Sequence, residues 1–447
     1  MRPWTTARPV RAAVWLLVCS LVISLAGCRG VFGRLDPRPS GLDSPDPELV
    51  RLVAESSNAL AFDLLERLSG TPDLGGDGAG PGNVILAPIS LSTLLAMLLE
   101  GADGETAEAI AGVLHLGRPA GGAQSPGASW DPAAPSGYGA LLRHLAGSAT
   151  DVELSVANAI WPTTGYPLVE RFVETMRADF GAEVEELDLG SQEAADVIDA
   201  WAAEKTRGRI ERMSDVLGLP DPGAVTVLMN AVYFKGSWTK SFDPDETEPG
   251  VFTLPDGTPV SVPMMRQQAG FKVAEGQGAD GRRFTMVRLT YGKDERFAMD
   301  IAVPEPGGAG PDEFRGFVAS LTPGVWKAAA AGLAERSVVL VMPKFELEYK
   351  VSDRLDAVLK DLGMAIAYTP ESDFTRMSPR DPWLSRVAHK TYIRIDEEGS
   401  EAAGVSGAVM RESLPEELCV DRPFVFAITD TETGVILFLG AVADPTA

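Results

Sequence analysis

The chain has 447 residues and a formal net charge of −24, from 39 basic and 63 acidic residues. Neutralising nucleic-acid phosphates requires a basic face, so this charge argues against a nucleic-acid-binding protein. Three cysteines are too few for a disulfide scaffold or a four-cysteine zinc site. The length allows two or three domains or one large one, and hydrophobic residues make up 45% of the chain, enough for a large core.

Residues 1–27 are typical of an export signal. An arginine-containing start precedes an apolar run at 12–26. The run is about 15 residues long, shorter than the roughly 20 that a membrane-spanning helix needs. It ends in Leu-Ala-Gly-Cys at 25–28, which resembles a bacterial lipobox, so we expect cleavage before Cys28 and attachment of lipid to its thiol. An ordinary signal peptide with an incidental Cys28 is the alternative.

Residues 28–47 are rich in proline, glycine and serine and lack periodicity, which predicts a tether. The protein is therefore expected to be exported and held at the cell envelope by lipid alone. Arg29 is not the aspartate associated with inner-membrane retention, so the outer membrane is favoured if the cell has one. An extracellular location is the alternative.

Helices are predicted first along the chain. Four segments carry apolar residues along a helical stripe, namely 91–98, 107–114, 169–180 and 355–362. Two segments rich in glycine and proline, 71–82 and 117–137, separate patterned regions and are predicted to be surface loops.

Strands are predicted mainly in the second half. Segment 225–234 is nearly all apolar, as for a strand buried on both faces. Segments 337–343 and 345–349 are rich in residues that favour strands, and 252–262 and 424–442 carry turn signals typical of hairpins. Helices prevail early and strands late, without regular alternation, which favours an α+β fold over a doubly wound one.

Motifs of catalysis are nearly absent. Neither HExxH nor GxSxG occurs, and no pattern of metal ligands or cofactor binding predicts a metal or cofactor. Ser237 and Lys240 match SxxK, but Lys-Thr-Tyr at 390–392 departs from the KTG that a penicillin-recognising enzyme would need. Glu397 and Glu398 are adjacent and would point to opposite faces of a strand, which makes them a poor acid–base pair. An exported enzyme is therefore disfavoured.

The segment from 397 to 414 has two interpretations. Its small residues are typical of a flexible linker. With a period of two, however, one face is free of charge and of large rings, and consists of Ser400, Ala402, Gly404, Ser406, Ala408 and Met410. No proline occurs from 400 to 414. Such a segment could enter the middle of a sheet, where backbone donors are needed and inward side chains must be small.

The sequence resembles the serpin family over residues 47–445. The matching segments occur in family order: NVILAPISLSTLLAMLLEGADGET at 83–106, VANAIW at 156–161, AWAAEKTRGRI at 200–210, LMNAVYFKGSW at 228–238, VMPKF at 341–345, LGM at 362–364, EEGSEAA at 397–403, RPF at 422–424 and FLGAVADP at 438–445. The resemblance implies a single α+β domain at 48–447. Its fold would have a large mixed central sheet, further sheets, about eight or nine helices and an exposed reactive-centre loop at about 397–420.

Serpins are suicide inhibitors of serine, and sometimes cysteine, proteases, so the resemblance implies an inhibitor rather than an enzyme. The partner would be a protease in a covalent complex with a monomeric inhibitor. After attack on the loop, the amino-terminal half of the loop would insert into the central sheet and distort the attached protease. The alternative is a non-inhibitory serpin that acts as a binding or chaperone-like module.

The resemblance also assigns roles to residues. The hinge of the loop would consist of Glu397, Glu398, Gly399, Ser400, Glu401, Ala402, Ala403 and Gly404. Its small residues favour inhibition, because non-inhibitory serpins often carry bulky, charged or proline residues there. Trp238 would lie where the loop first enters the sheet, and Ser90, Asn230 and His389 match a polar cluster that controls strand separation. Ala87 stands where the family usually has serine, which removes one hydroxyl.

The cleaved bond has three candidates. Counting forward from the hinge at the family's usual spacing gives Ser413-Leu414, whereas counting back from residues 423–424 gives Glu412-Ser413. Arg411 is the third, because a trypsin-like enzyme would select it regardless of register. These bonds imply an elastase- or subtilisin-like, an acidic-specific and a trypsin-like protease, respectively.

Overall fold

The computed structural model describes residues 46–70, 82–117, 130, 133–146, 152–306, 310–400 and 416–447. Pro45–Ala447 form one compact unit. The described residues contain ten α-helices and three β-sheets, so the α+β class expected from the sequence is confirmed. Among these residues, no helix is both long and apolar enough to cross a bilayer.

The helices gather mainly in the first half of the chain. They are α1 (Pro47–Gly70), α2 (Pro88–Gly101), α3 (Gly104–Val113), α4 (Ala134–Ala146), α5 (Glu170–Asp179), α6 (Gln192–Lys205), α7 (Ser214–Leu217), α8 (Pro311–Ser320), α9 (Pro323–Ala331) and α10 (Asp353–Leu359). The four stripes of apolar residues correspond to α2, α3, α5 and α10. Asp103 begins α3 as its N-cap, with its side chain accepting from the backbone N–H of Gly104.

Helix α4 is a correction to the sequence prediction, because it begins inside the segment 117–137 that we expected to be a loop. Pro135 lies in the first turn, where a missing N–H costs little. Gly139 weakens the helical pattern but is needed, since a Cβ there would come within 1.8 Å of the carbonyl oxygen of Asp179. Close packing on a neighbouring segment therefore outweighs the low helix propensity of glycine.

Fifteen strands are described. They are β1 (Val84–Leu86), β2 (Val152–Pro162), β3 (Glu183–Val184), β4 (Thr226–Ser237), β5 (Glu248–Thr253), β6 (Pro259–Gln277), β7 (Arg283–Tyr291), β8 (Phe297–Pro304), β9 (Ala334–Pro343), β10 (Phe345–Val351), β11 (His389–Ile395), β12 (Gly399–Ser400), β13 (Glu416–Cys419), β14 (Phe424–Asp430) and β15 (Ile436–Val442). Both expected hairpins form, as β5–β6 and β14–β15.

The strands build a nine-stranded, a four-stranded and a two-stranded sheet. The largest has the order β1-β15-β14-β8-β7-β6-β9-β13, with β5 added to β6. The four-stranded sheet has the order β12-β4-β2-β3, and the two-stranded sheet pairs β10 with β11. Most pairs are antiparallel, but β13 runs parallel to β9 and β3 runs parallel to β2, so both larger sheets are mixed.

Strand β4 lies between two hydrophobic layers. Val227, Met229 and Ala231 belong to a small cluster that also contains Ile198 and Trp201 of α6. Phe234 belongs instead to the main core. Both faces of β4 are therefore covered, as its apolar sequence predicts, although alternate residues from Thr226 to Val232 are only partly buried.

Candidate functional site

A gap separates β4 from β11, the strands that carry the predicted cluster residues Asn230 and His389. Within the described chain no ladder joins them directly. The connection is made by β12, in which Gly399 pairs with Ser237 and Ser400 with Gly236, both antiparallel. A tight turn from Asp396 to Gly399, closed by reciprocal backbone hydrogen bonds, reverses the chain between β11 and β12. The start of the hinge therefore already lies between the two strands as a short third strand.

Aromatic side chains hold this hinge in place. The backbone N–H of Trp238 donates to the carbonyl of Glu398 at 2.9 Å, and its indole Nε1 donates to the carbonyl of Asp396 at 2.9 Å. Tyr291 stacks on the Trp238 ring with 4.4 Å between centroids. The Tyr291 hydroxyl lies 3.1 Å from Oγ of Ser400, and both residues are buried. Trp238 thus lies at the mouth of the gap.

Gly399 has a backbone conformation that requires glycine. Its φ is +136°, and a Cβ at this position would lie 2.2 Å from the carbonyl oxygen of Gly236. The close approach of the two backbones is what allows Ser400 to pair with β4 immediately after the turn.

Glu397 anchors the turn from the other side. Its carboxylate is 2.7 Å from Nζ of Lys344 and accepts from the Thr247 hydroxyl at 2.9 Å, while its carbonyl accepts from the N–H of Phe242 at 2.8 Å. Burial opposes ionisation of Glu397, but the hydrogen bonds and the charge of Lys344 outweigh it and lower its pKa. The adjacent Glu398 is exposed. The two neighbouring glutamates therefore occupy opposite environments.

Deeper in the gap, a cavity of about 40 Å³ brings three predicted residues together, since Ser90, Asn230 and His389 all line it. His389 is 4% exposed, and burial lowers its pKa to about 3, so its ring is neutral at pH 7. Its Nε2 accepts from the backbone N–H of Ala87 at 3.0 Å, which places the proton of the neutral ring on Nδ1. Ala87 therefore contributes through its backbone, where the family's usual serine hydroxyl is missing.

Asn230 is held by a partner that the sequence analysis did not identify. Its Nδ2 donates to Oδ1 of Asn158 at 2.7 Å, and Nδ2 of Asn158 donates to the carbonyl of Phe180 at 2.8 Å. The buried Oδ1 of Asn230 has no hydrogen-bond partner among the described residues. Burying an acceptor without a partner costs free energy, and this oxygen is able to accept a hydrogen bond from a further donor.

The segment after α6 crosses the gap. Thr206, Arg209 and Ile210 line a second cavity, of about 30 Å³, together with Phe234 of β4 and Ile393 of β11. The guanidinium of Arg209 lies 5.1 Å from the ring centroid of Tyr392 on β11. The gap is therefore covered on one side, and its cavities are large enough only for water.

Several predicted residues lie outside the described part of the chain. They are Cys28, the hinge residues Glu401, Ala402, Ala403 and Gly404, and the bond candidates Arg411, Glu412, Ser413 and Leu414. Strand β13 begins at Glu416, two positions after the last of these candidates. Over the described ranges, no group of three or more His, Cys, Asp or Glu side chains could hold a metal ion.

Four side chains not predicted from the sequence contact the predicted residues: Tyr291, Lys344, Thr247 and Asn158. Lys344 and Asn158 lie inside quoted motifs, VMPKF and VANAIW, and their polarity within apolar surroundings was an available signal. Tyr291 and Thr247 lie in no quoted motif, and only the folded structure brings them to the hinge.

This chain is similar to known proteins over most of its length. Residues 55–445 match the family described as Serpin (serine protease inhibitor). An uncharacterized serpin-like protein of Thermococcus kodakarensis is 32% identical, over 96% of this chain and 98% of its own length. Serine protease inhibitor 42Dd of Drosophila melanogaster is 31% identical, over 81% of this chain and 91% of its own length.

Among solved structures, human thyroxine-binding globulin complexed with thyroxine is similar, with a TM-score of 0.73 and 26% sequence identity. The match covers 89% of this chain and all of that protein. The fold expected from the resemblance is thereby confirmed.

Proposed function

This chain belongs to the serpin family, and on that premise we propose that it is a suicide inhibitor of serine-type proteases. The catalytic serine of the protease attacks a peptide bond in the segment 411–414 and forms an ester with the new carboxyl end, while the amine of the departing segment takes a proton from the protease. Water would normally hydrolyse this ester. Insertion of the freed loop between β4 and β11 distorts the protease before hydrolysis occurs.

The pairing of Gly399 and Ser400 with β4 carries this proposal. Insertion needs a strand that starts in the correct register and an open position beside it. The hinge supplies the start, since its first two strand residues are already paired at the mouth of the gap. Below them β4 has no partner on this side within the described chain, so cleavage would let a continuous ladder form.

The residues that follow the hinge are compatible with this step. In the sequence alternation Glu401 falls between the inward positions, and Ala402, Ala403 and Gly404 follow it. None of these small residues obstructs entry into a sheet.

A panel of trypsin, elastase, subtilisin and a glutamate-specific protease tests the proposal. An inhibitor gives an SDS-stable complex with at least one of them, and the mass of the released carboxyl fragment shows whether the bond follows Arg411, Glu412 or Ser413. Ser400→Arg is the control, because a bulky charge opposite Gly236 and against Tyr291 should block insertion and convert the protein into a substrate. Cleavage of the wild-type chain by every protease, without a complex, would contradict inhibition.

A carrier or chaperone-like function is the second candidate. It is favoured by the similarity to thyroxine-binding globulin, a structure solved with thyroxine bound. The two candidates differ in the response to loop cleavage. An inhibitor gains a large increase in melting temperature when its loop is nicked, whereas a protein that only binds ligands need not.

We further propose that the mature protein is exported and held at the cell envelope by lipid on Cys28. The support is the sequence alone, in which the apolar run stops at small residues directly before this cysteine.

The acidic net charge favours a target protease with a basic surface, because opposite potentials speed association.

A further inference from the structure

An uncharged patch lies on the outside of the β5–β6 hairpin. Residues that face each other across a ladder point to the same side of a sheet, and the sides alternate along each strand. Phe252 and Val262 are buried on the inner side. The outer side carries three facing pairs, all of them exposed: Pro249 with Pro263, Val251 with Ser261, and Thr253 with Pro259. We call these six residues the outward face of the hairpin.

Val251 lies in the middle of the outward face. It is 61% exposed, more than Val197 or Trp383, the other large hydrophobic side chains exposed in the described part of the chain. Isolated exposed hydrophobic residues are common, but here Pro249 and Pro263 extend the apolar surface. The φ angle of proline is fixed, so this surface loses little conformational freedom when a partner binds.

The free border of β5 restricts what kind of partner fits. Among the described strands β5 pairs only with β6, so it is an edge strand. Pro249 has no N–H to donate, which makes this border a poor template for an added strand. The outward face is therefore suited to the side chains of a folded partner rather than to an extended peptide.

The outward face lies beside both ends of the segment that carries the candidate bonds. At the amino end, Glu397 accepts from Thr247, the residue before β5, and pairs with Lys344. The backbone N–H of Lys344 donates to the carbonyl of Pro263 at 2.9 Å. At the carboxyl end, β13 begins at Glu416 and is joined to β6 through β9. Both ends of the segment therefore meet the sheet that carries the outward face.

A protease held at a candidate bond is large enough to reach the outward face. The last candidate residue, Leu414, is two positions before Glu416, and the first is five, so the bond lies at most about 17 Å from Glu416 along the chain. Three strand spacings of about 4.8 Å put β5 about 14 Å from β13. A protease domain of about 230 residues has a radius of gyration of about 17 Å, which spans this distance.

Acidic side chains border the outward face. Asp245, Glu246 and Glu248 lie just before Pro249 in the sequence and are exposed. Within the described residues no cationic side chain pairs with these three carboxylates. Their negative potential attracts a basic surface and speeds its association.

We propose that the outward face is a second contact surface for the target protease, where Val251 packs against an apolar side chain of the protease and the acidic border attracts its basic residues. This inference rests on the proposed inhibitory function. It names a surface that discriminates among proteases able to cleave the same bond. The contact forms before cleavage, so it affects the rate of association and not the fate of the acyl-enzyme. Val251 is thus a specificity-determining residue.

Val251→Asp tests the apolar contact, with the full chain and a protease that forms the SDS-stable complex. The second-order rate constant of complex formation should fall about tenfold, as for a contact residue that contributes to binding. The stoichiometry of inhibition and the melting temperature should keep their wild-type values, because the side chain is exposed and acts before acylation. Val197→Asp is the matched control, since it places the same substitution at an exposed position of α6 and should leave the rate unchanged.

Reversal of the acidic border tests the electrostatic part. The double variant Glu246→Lys with Glu248→Lys should associate more slowly than the wild type at low ionic strength, and salt should reduce the difference. Rates that do not depend on these charges would contradict the attraction. Equal rates for the wild type and Val251→Asp would overturn the contact surface while leaving inhibition intact. If no protease of the panel forms a complex with the wild type, the proposed function itself fails.

Discussion

The hydroxyl of Tyr291 lies 3.1 Å from that of Ser400, a contact that spans 109 positions of the chain. It joins the end of β7 to the first inward residue of the loop. Because Tyr291 also stacks on Trp238, the hinge is fixed by the same aromatic pair that closes the mouth of the gap. Under the proposed mechanism, entry of the loop would start from this held position.

The contribution of this contact is measurable with two conservative variants. Tyr291→Phe removes the hydroxyl but keeps the stacked ring, and Ser400→Ala removes the other partner. Each should lower the free energy of unfolding by about 0.5–1.5 kcal/mol, the usual net value of a hydrogen bond. A double-mutant cycle from denaturant unfolding should show that the two losses are not additive. Fully additive losses would mean that the two hydroxyls act independently.

The ion pair between Glu397 and Lys344 predicts that the free energy of unfolding depends strongly on the charge at position 397. Glu397→Lys places two cations together at a buried position, and should lower the free energy of unfolding by about 1–3 kcal/mol, a value reduced for the partial exposure of Lys344. Glu398→Lys is the matched control, because that side chain is exposed and should change stability little. The double variant Glu397→Lys with Lys344→Glu should regain part of the loss. Equal effects of the two single variants would exclude a specific role for this pair.

Buried neutral His389 predicts a loss of stability in mild acid. Its pKa is lowered from about 6.5 to about 3, so below pH 6.5 the unfolded chain binds a proton that the folded chain does not. The contribution of neutral His389 to the free energy of unfolding is fully present above pH 6.5 and falls as the pH decreases towards 3. By pH 5 the loss should reach about 2 kcal/mol.

His389→Gln provides the comparison for this pH dependence. Glutamine offers an acceptor to the Ala87 N–H but does not titrate. The free energy of unfolding of this variant should therefore depend less on pH between 6.5 and 5 than that of the wild type. Denaturant titrations at several pH values measure the difference, and contributions of the other titrating groups cancel between the two proteins. Parallel curves would show that His389 does not remain neutral.

The lipid proposal has a direct test. Cys28→Ser should abolish incorporation of radiolabelled fatty acid and release the protein from the membrane fraction, because serine offers no thiol for alkylation. Arg29→Asp keeps the thiol and serves as a control for lipid attachment. Undiminished labelling of Cys28→Ser would refute the assignment.

Much of the fold could be predicted from local sequence patterns. Helical stripes located α2, α3, α5 and α10, and turn residues located the two hairpins, because these signals depend on neighbours within a few positions. The start of α4 was missed since Pro135 and Gly139 suggest a loop, and the reason for Gly139 lies in a contact with the distant Asp179. The hinge residues Glu397, Glu398, Gly399 and Ser400 were assigned through the resemblance of EEGSEAA to the family, because composition alone is equally typical of a linker. Their partners Tyr291, Lys344 and Thr247 were not assigned, because each is brought to the hinge across more than fifty positions of chain.

The facing borders of β4 and β11 have a consequence for the solubility of the intact molecule. An unpaired strand border exposes a row of donors and acceptors that can recruit a strand from another chain. Here two such borders face each other across a space that admits only water, and the segment after α6 lies over it. Each border shields the other from neighbouring molecules. Any variant that widens this space should therefore self-associate before it loses secondary structure.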